Sequence, residues 1–240
     1  MERLDKVLSS QGICSRKEAR SLAAKQRIKV NGEVIKKSDV KIDPEKDTIE
    51  VDGTAVEYRR YLYIMMNKPS GVLSASTDKK AQTVIDLLPP ELRRSGLFPA
   101  GRLDKDTTGL LIITDDGDFA HNMLSPKNKV YKLYCAKLDG ELEENKIKIL
   151  ESGITLKDGT CFKPARISLP NPNDRTIAEI EICEGKYHQV KRMFQSVGLT
   201  VIQLKRLRIG GLCLDKELFE GKSRILAPFE VKDIFNGKYD

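Results

Sequence analysis

The apolar residues beyond position 60 fall in short runs, at 61–66, 110–114, 131–138, 177–183 and 201–207, and none exceeds eight residues. Runs of that length, partly alternating and bounded by Gly and polar residues, read as β-strands. Only the stretches 81–88, 117–124 and 188–197 carry helical patterning. Strands interrupted by so few helices imply the α+β class with a largely antiparallel sheet. The same runs lie far below the roughly 18 to 20 apolar residues of a bilayer span, so no membrane partner is expected.

The first 57 residues are organised differently. Residues 1–37 hold ten Lys or Arg against four acids, and 16–29 hold six basics against Glu18 alone. In a chain of 240 residues with net charge +7, this is where the excess is concentrated, which points to a polyanionic partner. Ser15-Arg16-Lys17-Glu18 is a capping box, so a helix should begin at Arg16 and run to about Lys25, with Gly12 ending the helix before it. On that helix Arg16, Lys17 and Arg20 share one face and Ala19, Leu22 and Ala23 the other. A solvated face and an RNA-facing stripe both fit this pattern. Alternation around Asn31-Gly32 predicts a hairpin over 28–35, 47–53 reads as a further strand, and 53–60 reads as a linker.

Four blocks in order, Arg3-Leu4-Asp5-Lys6, Cys14-Ser15-Arg16-Lys17-Glu18-Ala19, Lys29-Val30-Asn31-Gly32 and Ile49-Glu50-Val51-Asp52-Gly53, make this region resemble the small RNA-binding domain named after the fourth protein of the small ribosomal subunit. The resemblance implies that the second helix and the loop after it lie against RNA. Arg16, Lys17, Arg20 and Lys29 are then the candidate RNA contacts.

The densest polar cluster of the chain is Gly101-Arg102-Leu103-Asp104-Lys105-Asp106-Thr107-Thr108-Gly109, directly before the apolar run at 110–113. An Asp at the lip of a buried strand can be a nucleophile or an acid/base group, or it can cap a turn; the residues alone leave both open. Asp104 and Asp106, two positions apart, point to opposite faces if extended, which gives no support to a glycosidase pair. No glycine-rich phosphate loop is present, and the five scattered cysteines lack a Cys-x-x-Cys pair, so they read as reduced thiols.

Asn67-Lys68-Pro69-Ser70-Gly71-Val72, the cluster 101–110, Lys132-Leu133-Tyr134, and Glu184-Gly185-Lys186-Tyr187-His188-Gln189-Val190-Lys191-Arg192-Met193 resemble the ordered motifs of pseudouridine synthases. With the N-terminal domain the pattern is similar to the branch that modifies ribosomal RNA. Its wording at 185–193 and at Arg208-Ile209-Gly210-Gly211 is most like the members acting on 16S RNA, with large-subunit enzymes as the alternative.

The resemblance implies an RNA-binding domain over 1–57 and a synthase domain over 60–240 that isomerises a uridine already in RNA, with neither cofactor nor metal. Asp104 matches the essential aspartate, Tyr134 the tyrosine that stacks on the flipped uracil, and Lys191 the basic position that pairs with the aspartate. Arg102 matches the residue that fills the gap left by the uridine. The His188-Gln189 position is expected to shape its motif, and the basics between 186 and 208, Arg192 among them, to face RNA phosphates.

The expected partner is ribosomal RNA, free or in a partly assembled small subunit, bound by a monomer. With no secretory signal at the N-terminus, the expected location is the cytoplasm. Two rival readings remain: an assembly protein that binds RNA without chemistry, and a hydrolase using Asp104 and Asp106. The hydrolase lacks an identifiable water-activating partner.

Overall fold

The computed structural model describes residues 1–236 and divides the chain into two compact units. The first comprises Met1–Leu62 with Pro89–Leu97, the second Tyr63–Leu88 with the chain from Phe98 onward.

In the first unit, β1 (Glu2–Arg3) leads into α1 (Leu4–Ser10), and α2 (Arg16–Ala24) starts where the capping box places it. The Ser15 hydroxyl accepts from the Glu18 amide at 3.2 Å, and the Glu18 carboxylate accepts from the Ser15 amide at 2.7 Å. Strands β2 (Ile28–Val30), β3 (Glu33–Val34), β4 (Lys41–Ile42), β5 (Ile49–Val51) and β6 (Thr54–Ala55) follow. Four of them form a sheet in the order β3-β2-β5-β6, while β1 pairs with β4. Leu4, Leu8, Ala19, Ala23, Ile28 and Ile49 close the core.

Asn31 and Gly32 both take positive φ, +52° and +81°, as the tight hairpin turn requires. Asp52 and Gly53 repeat the device at +55° and +76°. The expected linker at 53–60 is therefore wrong at its start. The second turn returns the chain as edge strand β6, and Val56 donates its amide to Ile49 O. The segment Pro89–Leu97 joins this unit through Arg94, whose guanidinium donates to Arg59 O at 2.8 Å.

The second unit contains β7 (Tyr63–Lys68), β8 (Phe98–Ala100), β9 (Thr108–Thr114), α3 (Gly117–Leu124), β10 (Lys132–Leu138), α4 (Glu144–Ser152), β11 (Ile154–Thr155), β12 (Cys161–Phe162), β13 (Arg166–Ser168), β14 (Ile177–Ile182), α5 (Gln189–Ser196), β15 (Val201–Ile209), β16 (Leu212–Cys213), β17 (Ser223–Ile225) and α6 (Pro228–Asp233). Its main sheet runs β13-β14-β10-β15-β9-β7-β17, with β16 on β15 and β8 on β9. Every pairing is antiparallel except β15 with β9. This agrees with the expected α+β class and mainly antiparallel sheet.

The expected helix at 81–88 is absent. There the Asp86 carboxylate accepts from both the amide and the hydroxyl of Thr83 at 2.8 Å, a cap-like start, but Pro89 and Pro90 follow within a turn and the chain forms only turns before them. Helices α4 and α6 went unforeseen. The core beneath the sheet gathers Met65, Leu110, Ile112, Phe119, Met123 and Ile209. Among the described residues no helix is long and apolar enough to cross a membrane.

Candidate active site

Asp104 lies in the loop entering β9, and the backbone of that loop is anchored at several points. Lys68, at the end of β7, is fully buried and donates its ammonium to Pro69 O (3.0 Å), Lys105 O (3.1 Å) and Thr107 O (2.9 Å). Ser74 donates its hydroxyl to Leu103 O at 2.8 Å and accepts from the Leu103 amide at 3.1 Å. Gly71 donates its amide to Lys105 O at 2.8 Å. Burial pulls the Lys68 pKa down to about 8, although the carboxylates of Asp106 and Asp104 oppose the shift.

The strand register brings distant segments into one row. Gly109 on β9 stands opposite Arg206 on β15, Arg206 opposite Tyr134 on β10, and Tyr134 opposite Ile180 on β14. At Gly109, φ is +99° and a Cβ would lie 2.3 Å from Arg206 O, so glycine alone permits this approach. Arg206 is buried. It donates to Leu110 O (2.7 Å), to Gly101 O (2.9 Å) and, more distantly, to the Tyr134 hydroxyl (3.4 Å). One cation thus ties the entry of the Asp104 loop to the strand carrying Tyr134.

The remaining wall comes from the segment before α5. Gln189, buried, donates its amide to Glu184 Oε1 at 2.9 Å and accepts from the Lys186 backbone amide at 3.0 Å. Glu184 also accepts from the Lys163 amide at 2.8 Å. This latch fixes the turn that presents His188 and Lys191. Together Arg102, Asp104, Tyr134, His188 and Lys191 line a single cleft.

Asp104 is 29% exposed, with Lys191 Nζ 3.6 Å from one carboxylate oxygen and His188 Nε2 3.6 Å from the other. Lys191 makes its hydrogen bonds to Asp106 instead, at 2.6 and 2.8 Å, and thereby holds the Asp106 carboxyl below its ordinary range. The one ammonium is therefore shared between two carboxylates, a geometry the resemblance did not indicate. Arg102 is exposed, and its side chain makes no hydrogen bond or ion pair among the described residues.

The other expected phosphate contacts of this region are largely engaged inside the protein. Arg206 is buried, Arg208 pairs with Glu181 at 2.6 Å, and Arg192 binds Asp158 while lying 5.5 Å from the Phe162 ring. The charge count over 186–208 could not distinguish these from free cations. Arg16, Lys17, Arg20 and Lys29, on the first unit, are exposed with no ion pair among the described residues. Lys68 was present in the quoted motifs without a role, and Gln189 only as part of the His-Gln position that shapes its motif. Their signal was a lysine and a glutamine inside otherwise apolar or turn segments.

The model of the RNA pseudouridylate synthase family matches residues 62–196, and the S4 domain model matches residues 2–49. The ribosomal large subunit pseudouridine synthase B of Bacillus subtilis (strain 168) is 39% identical over 97% of this chain and 95% of its own. The ribosomal small subunit pseudouridine synthase A of Yersinia pestis is 38% identical over 97% of each. A crystal structure of a pseudouridylate synthase superposes with a TM-score of 0.66 at 34% identity, covering 98% of this chain and all of that one.

Proposed function

Because this chain belongs to the RNA pseudouridylate synthase family and carries an S4 domain ahead of the synthase domain, we propose that it isomerises a uridine of ribosomal RNA, in the 16S molecule. The reaction breaks the bond between N1 of uracil and C1′ of ribose, turns the base, and joins C5 to C1′. N1 gains a proton and C5 loses one, so no atom enters or leaves overall.

The observation that carries this reading is Asp104 itself: a part-exposed carboxylate on an anchored loop, in a cleft that also holds an aromatic ring and an ammonium. Asp104 opens the reaction by attack on the sugar or the base, or by taking a proton from the sugar. Tyr134 offers a ring face to the uracil. Lys191 supplies positive charge beside the carboxylate that changes state during the reaction. Flipping a base out of folded RNA costs a few kcal/mol, and the unpartnered Arg102 is suited to fill the gap, stacking and meeting phosphate together. Arg16, Lys17, Arg20 and Lys29 bind the surrounding RNA.

The near-equal identity to a large-subunit and a small-subunit enzyme leaves the 16S target resting on the wording at 185–193 and 208–211. Mapping pseudouridines in all ribosomal RNA from cells with and without the gene tests it. A site lost from 16S RNA and restored by the wild-type gene, but not by Asp104→Asn, is the expected result. A loss confined to the large-subunit RNA would move the target, and no loss in either would overturn the assignment.

A further inference from the structure

Beside the catalytic cleft the protein exposes a large aromatic ring. Tyr187 is 74% exposed, and its ring stacks on the His188 imidazole with centroids 3.8 Å apart and planes 18° from parallel. His188 in turn lines the cleft and holds Nε2 3.6 Å from Asp104. The backbone at His188 is left-handed, with φ +48° and ψ +34°, at the N-cap of α5. For a residue with a side chain this conformation is unfavourable, of the kind that persists where surrounding structure enforces it. The Glu184–Gln189 latch supplies that enforcement immediately next to the turn.

The strain and the exposure have a common product. The turn aligns two flat rings into a short stack that begins at the reacting carboxylate and ends in solvent. An exposed tyrosine ring forgoes the burial that usually favours aromatic side chains, and a ring already stacked on one face has the other available. Unstacked nucleobases are what such a face captures, because every base has a π-surface and the interaction tolerates any sequence. Exposed Arg102, which lines the same cleft, and exposed Lys105, three residues further along the same loop, supply positive charge for the phosphates of the same strand.

We propose that Tyr187, backed by His188, is a stacking subsite for a nucleobase flanking the target uridine. Tyr134 lies within the cleft wall, whereas Tyr187 stands one ring further out from Asp104 than His188, so its occupant is a neighbour of the reacting nucleotide. The subsite extends the functional reading above and rests on it for the identity of the RNA. It assigns Tyr187 to substrate grip and register, with His188 positioning the ring.

The test uses the full-length protein and a short RNA spanning the mapped uridine, with 2-aminopurine placed singly at each adjacent position. Quenching on binding is expected at one adjacent position with wild type and with Tyr187→Phe, and is expected to be lost with Tyr187→Leu. In parallel, the half-saturating RNA concentration for pseudouridine formation should rise about ten-fold for Tyr187→Leu and stay near wild type for Tyr187→Phe. The saturating rate should fall by less than the half-saturating concentration rises. A Leu variant that keeps both the quenching and the half-saturating concentration overturns the subsite. Wild type that quenches yet forms no pseudouridine would overturn the functional reading while leaving the base-stacking site supported.

Discussion

The two units place the cations singled out by the sequence in different settings. On the first, Arg16, Lys17, Arg20 and Lys29 stand in solvent without ion pairs among the described residues. On the second, Lys68 and Arg206 are buried against backbone carbonyls, Arg208 and Arg192 pair with Glu181 and Asp158, and Lys191 is divided between Asp106 and Asp104. A free surface cation binds phosphate by releasing counterions and adds little to folding. A buried cation hydrogen-bonded to carbonyls contributes shape, because the groups it touches have no water to replace it. The same residue types thus stand open to a polyanion at the proposed contacts Arg16, Lys17, Arg20 and Lys29 and, in the second unit, at Arg102, while Lys68, Arg206, Arg208 and Arg192 are spent on scaffold.

The sharpest test of this division is Asp104→Asn, which keeps size and removes the acting group. Turnover should fall by at least about 10⁴-fold while RNA affinity stays within a few-fold, since the cations proposed to bind RNA lie elsewhere. Retention of turnover within a few-fold of wild type would remove Asp104 from the chemistry.

Lys191 separates scaffold from site. Lys191→Met, which deletes the charge and keeps the stem, should lower the single-turnover rate by about 10² to 10³-fold, with Lys191→Arg intermediate because the planar fork must find a new fit. Asp106→Asn removes the nearer of the two carboxylates and leaves the ammonium to Asp104; an effect within about ten-fold is expected. Equal inactivity of the Asp106 and Asp104 variants would show that the shared ammonium needs both partners.

For the scaffold proper, Lys68→Met removes the ammonium donor from Pro69 O and from two carbonyls of the Asp104 loop, Lys105 O and Thr107 O, at a cost of about 1 to 3 kcal/mol measurable by denaturant unfolding, together with slower turnover. For the open charges, replacing Arg16, Lys17 and Arg20 together by Gln should leave unfolding unchanged. It should flatten the log-log salt dependence of RNA binding by up to about three units. An unchanged slope would make the stripe a solvated face.

The smallest effect is one of pH. The native Lys68 gives up its proton near pH 8, below the ordinary lysine value of 10.5 that the unfolded chain keeps. Between those values the unfolded state holds more protons, so this group's contribution makes stability rise with pH. A neutral amine has one N–H fewer for three carbonyls, so turnover should decline over the same window without a matching loss of Tm in wild type. Lys68→Met should show no such decline, and a decline of the same size in it would assign the titration to another group.

Much of the first unit was legible because its signals are local. Ser15 with Glu18 and Asn31 with Gly32 act within four residues of each other, and each appeared where the sequence placed it. The misreading of 53–60 came from a turn, Asp52-Gly53, whose return strand is only two residues long. In the second unit the strands were legible by their runs, but Pro89 and Pro90 cut short the segment that Thr83 and Asp86 cap, so the helical look of 81–88 yields only turns. The motif residues Asp104, Tyr134 and Lys191 could be picked out, yet their mutual geometry could not.

What the sequence by itself determined is therefore the locally signalled elements, namely α2, the Asn31-Gly32 hairpin and the longer strands of the second unit, together with the residues able to do chemistry, since capping, turn formation and alternation depend on neighbours along the chain. Only the tertiary structure decided which cations are free and which are consumed. It also decided that Lys191 bonds Asp106 more closely than Asp104, and that Arg206 links Gly101 to Tyr134. Those outcomes depend on strand register and burial, which pair residues about a hundred positions apart, and residue type alone does not say whether a charge meets water, a carboxylate or a carbonyl.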